Sequence, residues 1–356
     1  MRKIFKSIEQ LKVLVLTLFA LNFVAMISHG QESKSPEVDI RNYAASTVSE
    51  SWGNIFKNTP DPSAGPNAPT ADNIEGWKQL NAIMSKVAFG READVKEKYQ
   101  ITVEEQEIGG VRVLEITPKG WKEDGKRLIY THGGGYTMFS ADNTITSAAL
   151  AANATGMKVI SVDYTVAPNA QWKEITGEVV NVFKGLNAQG FTMENIGIFG
   201  DSAGGGLVGG SVLRLRDEGL GMPAVVVLWS PWADITETGD TYMTLKHAES
   251  NYVYEKVLGP SADAYAAPQD QKHPYVSPVY GDFTKGFPPT LIQGGTREIF
   301  LSNFVRLYQA MDMAGQTVTL DIYEGMPHVF QIKSTESTET KVAVEKMAKY
   351  IQKHMN

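Results

Sequence analysis

Ile196-Gly197-Ile198-Phe199-Gly200-Asp201-Ser202-Ala203-Gly204-Gly205-Gly206-Leu207-Val208 is the stretch that decides the fold. An apolar run meets a Gly-x-Ser-x-Gly corner at 200–204, and the apolar pattern then continues to Leu213 and Leu215. That order describes a short buried strand turning straight into a helix. Glycines on both sides of the serine remove the Cβ atoms that so sharp a turn cannot accommodate. The turn exposes the serine oxygen near the positive end of the following helix. A bare Gly-x-Ser-x-Gly also arises by chance, so its flanks and partners decide.

Outward from this corner the chain alternates strands and helices. Ile101–Gln106 and Val111–Thr117 form an expected antiparallel pair joined through Gly109-Gly110. Buried strands are expected at Arg127–Tyr130, Val159–Val162, Ile196–Phe199, Ala224–Leu228, Thr290–Ile292 and Thr317–Tyr323. Helical stretches fall near 143–155, 172–188, 205–218, 302–314 and 337–354. Repeated strand–helix units imply an α/β protein, its mostly parallel sheet of about eight strands covered by helices on both faces. The interval 234–277 is too long for an ordinary connection, and its Tyr, Met and Asn content suggests a lid or a wall of a cleft.

Ahead of the sheet, residues 31–72 are rich in Ser, Pro, Asn and Asp and predict a loosely packed lead-in. Asp72 is placed to cap a helix carrying Trp77, Leu80, Ile83 and Met84 at helical spacing. The chain therefore divides into 1–30, a lead-in with helices at 31–98, and the strand–helix domain at 99–356. The first of these starts with Arg2 and Lys3, adds Lys6 and Lys12, and continues into the apolar run Val13–Ile27. With Ser28 and Gly30 following, it matches a secretory signal peptide cut after Gly30. An uncleaved anchor is the alternative, although a spanning helix needs about 20 apolar residues. The expected location is secreted or periplasmic.

Of the 356 residues none is cysteine, which excludes disulfides and a thiol nucleophile. Loss of residues 1–30 removes four basic groups and one acidic group, taking the net charge from −7 to −10. So acidic a chain is poorly suited to nucleic acid, whose phosphates demand clustered Lys and Arg. No stable membrane span is expected after signal removal, no cofactor or metal is implied, and pairing into a homodimer is left open.

The serine needs partners. Strand Arg127–Tyr130 ends in Thr131-His132-Gly133-Gly134-Gly135-Tyr136. Three glycines could serve as a plain flexible turn. They could also present bare backbone N–H groups to a developing oxyanion on the rim that the serine corner shares. A base is needed, and of six histidines only His328 stands just past the last strand in a loop. His29 leaves with the signal, His132 belongs to the glycine loop, His247 and His273 lie in the inserted interval, and His354 ends the last helix. The acid should follow the penultimate strand, where Glu298 stands before the next helix. A surface pair of Glu298 with Arg297 or Arg306 is the competing reading. Gly204-x-Gly206-x-x-Gly209 also fits a dinucleotide fingerprint, but it starts beyond the strand end, and position 224, about 20 residues on, is alanine.

From about Ile101 to Phe330 the chain resembles the hormone-sensitive-lipase-like branch of the α/β-hydrolases. The matching pieces are His132-Gly133-Gly134-Gly135-Tyr136, Asp163-Tyr164-Thr165-Val166-Ala167-Pro168, Gly200-Asp201-Ser202-Ala203-Gly204-Gly205, Ser230-Pro231-Trp232-Ala233-Asp234, Ser277-Pro278, Phe287-Pro288-Pro289 and Glu324-Gly325-Met326-Pro327-His328. The resemblance implies an α/β-hydrolase fold whose N-terminal helices cap the pocket. It also implies Ser202 as nucleophile, His328 as base, Glu298 in the acid position, and an oxyanion hole of Gly133, Gly134 and Ala203. Many members carry Arg-Leu where this chain has Thr165-Val166, which puts a structural ion pair in doubt, and Asn303 replaces a usual second acid. Tyr136 and Trp232 are expected to bind substrate, with Phe139 and Trp77 beside them. The implied partner is a small-molecule ester: a short- to medium-chain acyl ester, an acetylated compound or a lactone. A peptidase or amidase of the same fold, or a non-catalytic binder, are the other readings.

Overall fold

The computed structural model describes residues 40–86 and 91–355. Residues 1–30, expected to be a signal peptide, lie outside them. Eight strands form one sheet: β1 (Thr102–Ile108), β2 (Val111–Thr117), β3 (Arg127–Thr131), β4 (Val159–Val162), β5 (Ile196–Asp201), β6 (Val225–Trp229), β7 (Thr290–Gly295) and β8 (Val318–Tyr323). Their spatial order is β1-β2-β4-β3-β5-β6-β7-β8. The first two pairings, β1 with β2 and β2 with β4, are antiparallel, and all the rest are parallel. The mostly parallel eight-stranded sheet is the one expected from the alternating pattern, and it has the α/β-hydrolase architecture that the resemblance implies.

The continuous apolar runs follow from burial on both faces. Successive side chains point to opposite sides of a strand. Ile198, Val226, Leu228 and Ile292 accordingly join one core with the helices Trp172–Ala188, Ala203–Asp217 and Leu301–Met313. Phe199, Val225, Val227 and Trp229 join the other with the helices Ile145–Thr155 and Thr338–His354. The expectation of a fully buried last strand fails, since every residue of β8 is half-buried or exposed. It is the edge of the sheet.

Two N-terminal expectations change. Asn73, not Asp72, caps the helix Ile74–Lys86: its Oδ1 accepts from Gly76 N–H at 2.9 Å, while Asp72 accepts from the Thr70 hydroxyl. Along that helix Trp77 is buried and Ile83 is exposed. Residues 40–57 are not loosely packed either. The helix Glu50–Lys57 buries Trp52 and Phe56 against Met326 and Phe330, so a Ser- and Asn-rich segment gains order from two aromatic anchors. No helix among the described residues is long and apolar enough to cross a membrane.

Candidate active site

Ser202 ends the turn out of β5 with φ 54° and ψ −124°, a backbone region that non-glycine residues rarely occupy. The strain is held from three sides. Ser202 N–H donates to the Trp229 carbonyl at 2.9 Å, and the Ser202 carbonyl accepts from Trp232 at 2.8 Å and from Gly206 at 3.2 Å. A Cβ on Gly204 would come 2.1 Å from the Thr131 carbonyl, and one on Gly206 would come 2.4 Å from that of Trp232. The glycines that imitate a dinucleotide fingerprint are therefore close-packing positions of the helix Ala203–Asp217.

His328 lies past β8, and its Nε2 stands 2.9 Å from Ser202 Oγ. Its Nδ1 stands 2.7 Å from Glu298 Oε2. Glu298 is fully buried, and its other oxygen accepts from Ser230 Oγ at 2.8 Å and Gly295 N–H at 2.6 Å. With donors filling that side, Oε2 is left to accept from Nδ1–H, which turns Nε2 into the acceptor for the serine hydroxyl. The rings of Phe300 and Tyr252 meet the imidazole edge-on at 5.1 and 5.3 Å, fixing its plane. The competing surface pairings of Glu298 are not made. Arg306 pairs with Asp234 at 2.7 Å, and Arg297 donates to the carbonyls of Ile40, Arg41 and Tyr43.

Gly133 and Gly134 line the same cavity as Ser202 and His328, about 500 Å³ in volume. A Cβ on Gly133 would sit 2.4 Å from the Asp201 carboxylate and 3.1 Å from Ser202 Cβ, so only glycine allows this approach. Gly134 has φ 113°, and a Cβ there would come 2.3 Å from the Met138 carbonyl. The loop is anchored by Tyr164, whose hydroxyl donates to the His132 carbonyl at 2.7 Å and whose ring stacks on the imidazole. Burial holds that imidazole down to about 4, which keeps it neutral. Ala203 opens the helix after Ser202, where backbone N–H groups have no partner within the helix.

Tyr136 and Trp232 do not line the cavity. With φ 65° at Tyr136, its ring turns inward and stacks on Tyr265 at 3.7 Å. Trp232 packs between Tyr136 and Phe300, so both rings belong to an aromatic column behind the site. Trp77 is likewise in the core, whereas Phe139 lines the cavity with Met84, Met138 and Ile332. Asn303 is structural: its Oδ1 accepts from Asp234 N–H at 2.6 Å. With threonine at 165 there is no ion pair from that position: Thr165 bonds the Glu178 carboxylate instead, and Asp163 pairs separately with Arg112 at 2.8 Å.

Sequence reasoning passed over four residues at the site. Ser230 bridges Glu298 and, at 3.0 Å, Val329 N–H; its only signal was its place in the stretch Ser230-Pro231-Trp232. Asp201 lines the cavity, takes the Tyr130 hydroxyl at 2.5 Å, and is pushed up to about 6 by burial, against Tyr130, His328 and the Gly133 N–H. Tyr252 and Lys333 also line it, from the inserted interval and from the helix Phe330–Lys333.

With this geometry in view, comparison places the chain. The alpha/beta hydrolase fold family matches residues 128–332. The chain is similar to an acetyl-hydrolase of Streptomyces hygroscopicus, 33% identical over 63% of this chain and 74% of that one. It is 30% identical to an esterase of Acinetobacter venetianus over 68% and 79% of the two chains. Among solved structures it resembles esterase E25, with TM-score 0.82 and 28% identity over 88% and 96%. A bacterial hormone-sensitive-lipase-family esterase gives TM-score 0.71 and 28% identity over 83% and 95%. The chain belongs to the hormone-sensitive-lipase-like family of α/β-hydrolases. It is a hydrolase of the esterase and lipase class.

Proposed function

We propose that the chain is a serine carboxylesterase acting on short- to medium-chain acyl esters, acetylated small molecules or lactones. The observation that carries this is the continuous contact from Ser202 Oγ through His328 to buried Glu298, opening on a cavity rimmed by Gly133 and Gly134. His328 Nε2 takes the Ser202 proton as Oγ attacks the ester carbonyl. The carbonyl electron pair moves onto oxygen, which rests on the N–H groups of the glycine loop and of Ala203. Collapse expels the alcohol, protonated by His328, and leaves an acyl-enzyme. Water deprotonated by the same nitrogen then releases the acid. Glu298 holds the imidazole tautomer and stabilises the imidazolium without taking the proton.

Apolar lining from Met84, Met138, Phe139 and Ile332 suits a modest acyl chain. The direct test is kcat/KM for p-nitrophenyl esters of increasing chain length beside matched anilides. The expected result is a maximum at short to medium chains with anilides far slower. Faster anilide cleavage would make the protein an amidase. Export is proposed as well, supported by the basic start and the apolar run Val13–Ile27. The exported protein should begin at Gln31 by mass spectrometry, and an intact Met1 terminus would contradict this.

A further inference from the structure

The cavity at Ser202 has an apolar wall and a second, polar one that the proposed reaction does not use. Lys333 lies five residues after His328, and its Nζ donates to Asn251 Oδ1 at 2.5 Å. The Asn251 amide is oriented from behind. Glu249, only 1% exposed, accepts from Asn251 N–H at 2.7 Å and from Nδ2 at 3.1 Å, which turns Oδ1 toward the ammonium. The second Glu249 oxygen accepts from Ile299 N–H at 3.2 Å, tying this series to the residue after Glu298. Carboxylate, amide and ammonium are thus built into one line that ends at the cavity.

An ammonium has three donors, and one is spent on Asn251. No carboxylate among the described residues stands within ion-pair distance of Lys333. The acidic groups facing this region are already engaged. Glu298 is held by His328, Ser230 and Gly295, Glu249 by Asn251 and Ile299, and Asp201 by the Tyr130 hydroxyl. Among the described residues Lys333 is the one lysine or arginine lining the cavity, in a chain of net charge −7.

We infer that Lys333 selects esters that carry a second, anionic group: a carboxylate on the acyl or alcohol side, received by the two remaining ammonium donors. This rests on the esterase reading above. A charge-assisted contact of this kind is about twice as strong as a neutral one and is weakened by salt.

The test uses the full chain and two pairs of isosteres, each rate divided by its alkaline hydrolysis rate. One pair is 4-carboxyphenyl butyrate and 4-carbamoylphenyl butyrate; the other is monoethyl adipate and its carboxamide analogue. The expected result is that kcat/KM favours the carboxylate about tenfold in at least one pair. That preference should lie mainly in KM and shrink as sodium chloride rises. Lys333→Met should bring the ratio near one, and Lys333→Arg should keep it. If Lys333→Met folds poorly, the salt titration of the unaltered chain reads the same preference. Equal rates in both pairs, or a preference that Lys333→Met leaves intact, overturns the inference while leaving the esterase reading standing. Failure to hydrolyse even the neutral esters would instead remove the esterase reading.

Discussion

His328 Nδ1 and Glu298 Oε2 lie 2.7 Å apart, with His328 3% and Glu298 0% exposed. Water cannot compete for this contact, and the imidazole has one tautomer open to it. Glu298→Gln keeps the shape but offers an amide in place of an acceptor-only group. Its kcat should fall about 10³- to 10⁴-fold, as in related triads that lose their acid. Asn303→Ala should leave kcat close to unaltered and lower stability, because it orphans the Asp234 N–H. Steady-state kinetics on both variants decide, and the reverse pattern would take the acid's role away from Glu298.

The glycine loop should tolerate no side chain at its second glycine. Gly134→Ala combines φ 113° with a Cβ 2.3 Å from the Met138 carbonyl. The loop must shift, taking backbone donors from the oxyanion position, and kcat should drop about 10²- to 10³-fold. Full activity in a folded Gly134→Ala protein would show that the loop is only a turn.

Arg297 binds the N-terminal segment to the loop that carries Glu298. Its guanidinium reaches three carbonyls at 40–43 and covers the Phe56 ring at 4.2 Å. Arg297→Met should cost about 3 kcal/mol of unfolding free energy, and Arg297→Lys should recover only part, lacking the planar fork. Urea denaturation measures both, and an unshifted midpoint would contradict the bracing role.

Asp201 sets a pH dependence. Burial pushes its carboxyl from 3.8 up to about 6, against the hydrogen bonds from Tyr130 and the Gly133 N–H. A folded-state value above the unfolded one means the native state binds this proton more tightly. The stabilisation is complete below about 4 and lost as pH rises through about 6, bounded at about 3 kcal/mol. Asp201→Asn removes the titration. The melting temperature of the unaltered protein relative to Asp201→Asn should therefore decline from pH 4 to 6.5 and then level off. A gap independent of pH would show that Asp201 does not titrate in this range.

The sheet was legible because strands buried on both faces leave unbroken apolar runs such as Val225-Val226-Val227-Leu228. Helix caps were less so: Asp72 and Asn73 are both good cap residues, and only the backbone path selects Asn73. The serine, histidine and glutamate were located by chain order along the rim, which the structure shares. Tyr136 and Trp232 were misplaced because the direction of a loop side chain depends on φ, and φ 65° turns Tyr136 into the core. The links from Arg297 to residues 40–43 and from Lys333 to Asn251 span 254 to 257 and 82 residues, separations that leave no periodic trace.

Ser202 as the nucleophile is tested most directly by p-nitrophenyl butyrate turnover of Ser202→Ala beside the unaltered protein. The predicted result is a loss of at least about 10⁴-fold with an unchanged circular dichroism spectrum and melting temperature. Turnover by Ser202→Ala at the rate of the unaltered protein would contradict it.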